Sequence, residues 1–209
     1  MKVVQYIITA IVIVLVAYNS VYFKKLDAVK ASHVAKEFNA AQYAANFWDK
    51  KLTVSLNKAI EVTKLSALLS SDPAKAFNDW SHALGIGNLR YFLVTGKGMI
   101  ESVNDDYVAV MVQGDSSKQV VRIATEYIFG NAVRDATGLI NINEFTNTMD
   151  FNNVSAEINK IIREKVLPAF KQKVKKGDPI EFTGAIELNK EHPGLSGIEI
   201  IPIKIVNGE

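Results

Sequence analysis

The chain has 209 residues, no cysteine and a formal net charge of +2, with 24 Lys and Arg against 22 Asp and Glu. These values exclude thiol catalysis, zinc–thiolate sites and disulfides, and they provide no overall field for nucleic acid. The length fits one ordinary domain with an appendage, large enough to fold on its own apolar core.

Residues 3–23, VVQYIITAIVIVLVAYNSVYF, carry no charge. At about 1.5 Å per residue a helix of that length reaches about 30 Å, the hydrocarbon thickness of a bilayer. The run ends in Tyr18, Asn19 and Tyr22 rather than at a small-residue cleavage site. An uncleaved transmembrane signal anchor is therefore expected over residues 1–24. Lys24, Lys25 and Lys30 after the run outweigh Lys2 before it, so the charge rule leaves its orientation undecided.

Residues 25–88 read as a helical segment. Tyr43, Phe47, Leu52, Leu56, Ile60, Leu65 and Leu68 recur at helical spacing, with a break expected near Thr53 and Val54. In SSDPAKAFNDWSHALG a second helix carries its own punctuation: Asp72 caps it, Pro73 fits its first turn and Gly85 ends it. Phe77, Trp80 and Leu84 form its buried stripe.

After Gly87 the period changes from helical to alternating. LRYFLVTGKGMIESV is a long strand bent at Gly96 and Gly98, YVAVMVQ a second strand and QVVRIATEYIF a third. The crossover GNAVRDATGLININEFTNTMDF leads into a helix over residues 151–172, capped by Asp150 or Asn153 and kinked or ended by Pro168. KKGDPIEFTGAIEL supplies a fourth strand. IEIIPIKIV supplies a fifth, and its Pro202 requires an edge position or a bulge.

Three antiparallel strands, a helix and a two-stranded hairpin follow the order of an oligonucleotide/oligosaccharide-binding (OB) barrel, whose helix lies between strands three and four. The expected fold class is α+β: an N-terminal membrane helix, a helical segment, and a five-stranded OB-like antiparallel barrel over residues 89–209. Residues 25–209 are expected to form one compact unit. A curved sheet with helices on one face would give the same pattern.

Little in the chain points to catalysis. His33, His82 and His192 are far apart and lack metal-ligand spacing, and Asp105 and Asp106 sit in a tight turn where aspartate serves the backbone. GKG lies inside a strand and lacks the helix of a phosphate loop. No catalytic residue, metal or cofactor is expected, and oligosaccharide processing ranks below binding. OB barrels hold single strands on aromatic platforms and basic grooves. Tyr91, Phe92, Tyr107, Tyr127 and Phe129 fall on the expected strands, but Arg122 is the one cation of the second and third strands and the basic cluster belongs mainly to the helix and its exit over 157–176. Nucleic acid is not an expected partner.

The crossover holds the candidate site: Arg134, Asp135, Asn141, Asn143 and Asn147. On an extended backbone Arg134 and Asp135 point to opposite faces, cannot pair with each other, and each needs another partner. In one reading Arg134 ties the crossover to a carboxylate or carbonyl, the asparagines satisfy turn amides and Phe145 plugs the core. In the other, the five residues line a polar cleft at the barrel rim that binds a hydroxylated ligand.

The segments NAVRDATGLININEFTNTMDF, IEFTGAIEL and IEIIPIKI, with NSVYFKKLDAVKA and FNAAQYAANFWDKKL upstream, resemble the predicted periplasmic lipoprotein family, domain of unknown function 2291. The resemblance implies export to the periplasm, attachment to the inner membrane, an unestablished biochemical role and an accessory place beside sugar-uptake transport systems. It also implies that the soluble part lies on the periplasmic side. Partners consistent with it are a transporter or binding protein and a small polar ligand such as a sugar; a structural envelope protein is the alternative. One departure stands out: a lipoprotein needs a cysteine for acylation and this chain has none, so the apolar helix must do the tethering.

Overall fold

A computed structural model describes residues 2–20, 38–85, 87–114 and 118–208. They fall into two units that divide after Phe38. The amino-terminal unit contributes helix α1 (Lys2–Ser20), whose apolar side chains are exposed. No helix among the described residues is long and apolar enough to cross a membrane. The last three residues of the expected span, Val21, Tyr22 and Phe23, lie outside the described residues.

The second unit, Asn39–Glu209, opens with α2 (Ala40–Phe47), capped by the Asn39 side chain accepting from the Gln42 amide at 2.9 Å. The helix continues through a wide turn at Trp48–Leu52 and ends in a tight one at Leu56–Lys58. The break expected at Thr53 and Val54 is not there: Thr53–Ser55 are α-helical, the widening precedes them and the helix ends after them. Ala59 and Glu61 are extended, so Ile60 belongs to a short strand, β1 (Ile60–Glu61), before α3 (Val62–Ser71) begins.

Helix α4 (Pro73–Trp80) starts as expected, with Asp72 accepting from the Lys75 amide at 3.0 Å. It stops at Trp80, well before Gly85. There the chain turns extended into β2 (Ser81–His82), which leaves Leu84 37% exposed rather than in the buried stripe.

Strands β3 (Leu89–Val103) and β4 (Tyr107–Gln113) have the bounds read from sequence. The third, β5 (Lys118–Ala124), ends five residues before Phe129 because the chain bends at Thr125 and Glu126. The short α5 (Ala132–Asp135) follows, then α6 (Thr148–Ile161), a wide turn at Ile162–Val166, and α7 (Leu167–Lys173). Pro168 sits in the first turn of α7. It cannot donate to the preceding turn, and the helix accommodates it by widening there. Strands β6 (Pro179–Asn189) and β7 (Glu199–Asn207) complete the chain.

The sheet has seven strands, not five, because the helical segment contributes the two-residue strands β1 and β2 to the edge of β3. The five long strands form a closed hydrogen-bonded circuit: β3 pairs β4, β4 pairs β5, β5 pairs β7, β7 pairs β6, and β6 returns to β3. It is not wholly antiparallel. β5 and β7 run parallel at Arg122↔Glu199 and Ile123↔Ile200, since the other four pairings of the five-strand circuit are antiparallel and an odd circuit must then close on one parallel pair. Pro202 lies at a register shift, where Thr183 faces Lys204 and Gly184 faces Pro202, so the bulge removes the need for its missing amide hydrogen.

Inside the circuit, Phe92, Val94, Ile100, Val110, Val121, Ile123, Phe182, Ile186 and Ile200 pack with Leu65 and Phe77 from the helices and Phe170 from α7. The centre of β6 is buried on both faces, from Phe182 through Ile186. Its inward residues meet this core, and its outward ones lie under α5, which packs on β3 and β6.

Candidate functional site

Helix α5 is a single turn lying on the outer face of the β3–β6 pair. Its four residues are all buried, and Gly138, in the left-handed region at φ 64°, closes it by donating its amide to the Asp135 carbonyl at 3.0 Å. On a helix consecutive side chains diverge by about 100° instead of the 180° of a strand, which leaves the long guanidinium within reach of the neighbouring carboxylate. Arg134 Nε donates to Asp135 Oδ1 at 2.6 Å and Nη2 to Oδ2 at 2.9 Å, a two-point ion pair with the side chains of both residues 3% exposed. The expectation that the two could not pair is overturned, because the backbone there is helical rather than extended.

Arg134 has further partners on α6. Nη1 donates to the Phe151 carbonyl at 3.2 Å, and the guanidinium lies 3.5 Å from the centre of the Phe151 ring. Phe151 stacks edge-on to Phe145 at 5.2 Å, and Phe145 meets Tyr43 of α2 at 5.2 Å. The Tyr43 hydroxyl donates to Glu144 at 2.9 Å. One chain of contacts therefore joins α5, α6 and α2.

The asparagines stand apart from this pair. Asn141 accepts from the Asn143 amide at 2.9 Å and caps the tight turn Ile142–Glu144. Asn147 caps α6, accepting from the Asp150 amide at 2.8 Å and donating to the Asp150 carboxylate at 2.8 Å. Asn143 is exposed in the same turn. Asn141 and Asn147 serve a turn and a cap, Asn143 gives its backbone amide to the first, and none of the three lines the cleft that Arg134 borders.

Arg134 and Asp135 form one wall of an open cleft of about 500 Å³. Phe151, Asn131, Tyr91, Asn88 and the 83–85 segment make up most of the rest. Tyr91 and Asn131 were not singled out for this site from sequence. The alternation of β3 does place Tyr91 opposite the inward Phe92, on the outer face that α5 covers. Tyr91 stands opposite Glu187 across the strand pair. Burial first, then the Glu187 carboxylate, and next Asp135, push the Tyr91 phenol up to about 12. Burial and then Glu144 do the same to Tyr43.

These shifts have a sign. A phenol that ionises near 10 when unfolded and near 12 when folded contributes stability below pH 10 and loses it as the pH rises toward 12. Alkaline unfolding followed by circular dichroism is expected to begin in that window, and Tyr91→Phe is expected to flatten it. An unchanged alkaline profile in Tyr91→Phe would show that Tyr91 does not contribute.

On the other side of α5 lies a smaller cavity of about 190 Å³ lined by Ser55, Lys58, Asp79, Trp80, His82, Leu93, Ala136 and Thr137. Burial first and then Lys58 lower the His82 pKa, which favours the uncharged ring. Among the described residues no group of three or more His, Cys, Asp or Glu side chains could hold a metal ion.

A family model described as Predicted periplasmic lipoprotein (DUF2291) matches residues 11–206. Among solved structures the chain is similar to an OB-fold protein from Thermotoga maritima, at 27% identity and a TM-score of 0.73, over 83% of this chain and 100% of that one. No curated protein matches it.

Proposed function

The chain belongs to the predicted periplasmic lipoprotein family, and on that premise we propose that it is a membrane-held periplasmic binding module whose cleft beside Arg134 takes a small, uncharged, hydroxylated ligand, a sugar first among them. One observation carries the ligand class. Arg134 is the sole cation among the cleft-lining residues, and Asp135 and the Phe151 carbonyl already occupy it. A phosphate or carboxylate would have to break that buried pair, whereas a hydroxylated ligand can use what remains of the Asn88 amide, which donates once to Glu191 at 2.7 Å, and of the Asn131 amide, whose oxygen takes the Ser155 hydroxyl at 2.9 Å, and stack on apolar surface.

The membrane attachment rests on the sequence. The uncharged run continues past the end of α1 through Val21, Tyr22 and Phe23, and no cysteine is present for acylation. The closed circuit of five long strands supports reading the domain as an OB-like barrel, with the cleft on its outer wall.

The test is a thermal-shift panel on the purified full chain in detergent, with neutral monosaccharides and disaccharides beside their phosphates. A ligand at one hundred times its dissociation constant contributes about 2.7 kcal/mol, enough to raise the melting temperature by about 5 °C or more. A neutral sugar is expected to give that rise, and Asn88→Ala with Asn131→Ala to abolish it. If no neutral sugar shifts the transition, the binding reading fails in favour of a structural envelope protein.

A further inference from the structure

After β5 the chain presents two aromatic rings to solvent, Tyr127 at 63% and Phe129 at 71% exposure, on either side of Ile128 at 2%. The loop is held from the side by the α6 helix and the wide turn after it. Arg163 Nη1 donates to the Ile128 carbonyl at 2.5 Å, Asn159 Nδ2 to the Gly130 carbonyl at 2.9 Å, and the Ser155 hydroxyl to Asn131 Oδ1 at 2.9 Å. The rings are thus displayed on backbone already ordered, so engaging a surface costs little further entropy. Neither ring lines either of the two cavities beside α5, which argues against a sugar platform.

The helical segment that holds the loop is basic on balance. Residues 157–176 carry seven Lys and Arg against Glu157 and Glu164; Lys171 is paired with Glu126 at 2.9 Å and Lys160 lies 3.9 Å from Glu157, while Lys165, Lys173, Lys175 and Lys176 are exposed. Aromatic rings beside exposed cations suit a membrane–water boundary, where rings settle at headgroup depth and cations meet lipid phosphates. We propose that this edge docks on an anionic lipid bilayer, with Tyr127 and Phe129 entering the headgroup layer and the basic side chains over 160–171 facing the phosphates. The inference rests on the membrane-held reading and adds a second contact with the same membrane.

The absence of native cysteine makes single labels unambiguous. Spin labels at Phe129→Cys and, separately, at Val12→Cys would be read by power saturation in the full chain, in vesicles of phosphatidylcholine alone and with phosphatidylglycerol. The label at position 129 is expected to show an oxygen-over-nickel accessibility ratio several-fold higher in the anionic vesicles, with the difference reduced by high salt. Equal aqueous exposure at 129 in both compositions overturns the proposal. So does line broadening that follows protein concentration rather than lipid charge, which would mark contact between copies. Lipid exposure at 129 with an aqueous label at position 12 would keep the docking edge and remove the tether; the reverse pattern would keep the tether and remove the edge.

Discussion

Arg134→Ala is expected to destabilise the fold by about 3–5 kcal/mol, read as a lowered midpoint in urea denaturation. The substitution leaves the Asp135 carboxylate, 5% exposed, without its partner, removes the donor to the Phe151 carbonyl and strips the cation from the Phe151 ring. Each loss falls on a group shielded from water, so solvent cannot replace the missing contact. The pair itself is a different matter. Burying two charges costs about as much as their attraction returns, and the double variant Arg134→Met with Asp135→Leu is expected to recover more than half of the loss. A single variant within about 0.5 kcal/mol of the parent would sink the view that this pair locks α5 to α6.

This lock shows where sequence reasoning reached and where it stopped. The bounds of β3 and β4 were legible because strands long enough fix a period of two, and Tyr107–Gln113 puts the buried Val108, Val110 and Val112 at every second position. The Asp72 and Pro73 helix start was legible because capping is local chemistry. Helix α5 was not, because four residues are too few to carry a period, and taking them as extended inverted the relation between Arg134 and Asp135. Strands β1 and β2 were invisible for the same reason: at two residues each, they exist only because β3 offers its edge. The parallel pairing of β5 with β7 depends on where the crossover returns the chain, a long-range fact that no local pattern encodes.

The cleft was legible in part. Arg134 and Asp135 do line it, as the ligand reading of the crossover required, while the asparagines serve the backbone, as the joint reading required. The two readings apply to different residues of one segment. Tyr91 and Asn131 were missed because they come from β3 and from the residue before α5, and only the folded chain brings them to the same wall.

β3 keeps its register with β6 through Gly96, where a bend was expected, and shifts register against β4 only between Ile100 and Ser102; Gly96 instead answers a bulky neighbour, which yields the second large effect. Gly96 faces Phe182 directly across β3 and β6, and a Cβ at Gly96 would lie 2.6 Å from the tip of the Phe182 ring. The ring, 1% exposed, covers the bare backbone where a side chain would otherwise stand. Phe182→Ala is expected to cost about 3–5 kcal/mol through the cavity it leaves among Val94, Ile180 and Ile200. Gly96→Ala alone is expected to cost about 1–3 kcal/mol, because the ring must move within a filled core. The two changes should offset each other: with the ring gone, the new methyl fills part of the void, so the double variant is expected to be at least about 1 kcal/mol more stable than the sum of the single losses predicts. Additive losses in the urea midpoints would mean that Gly96 is there for the path of the strand alone, and that the ring has no part in its selection.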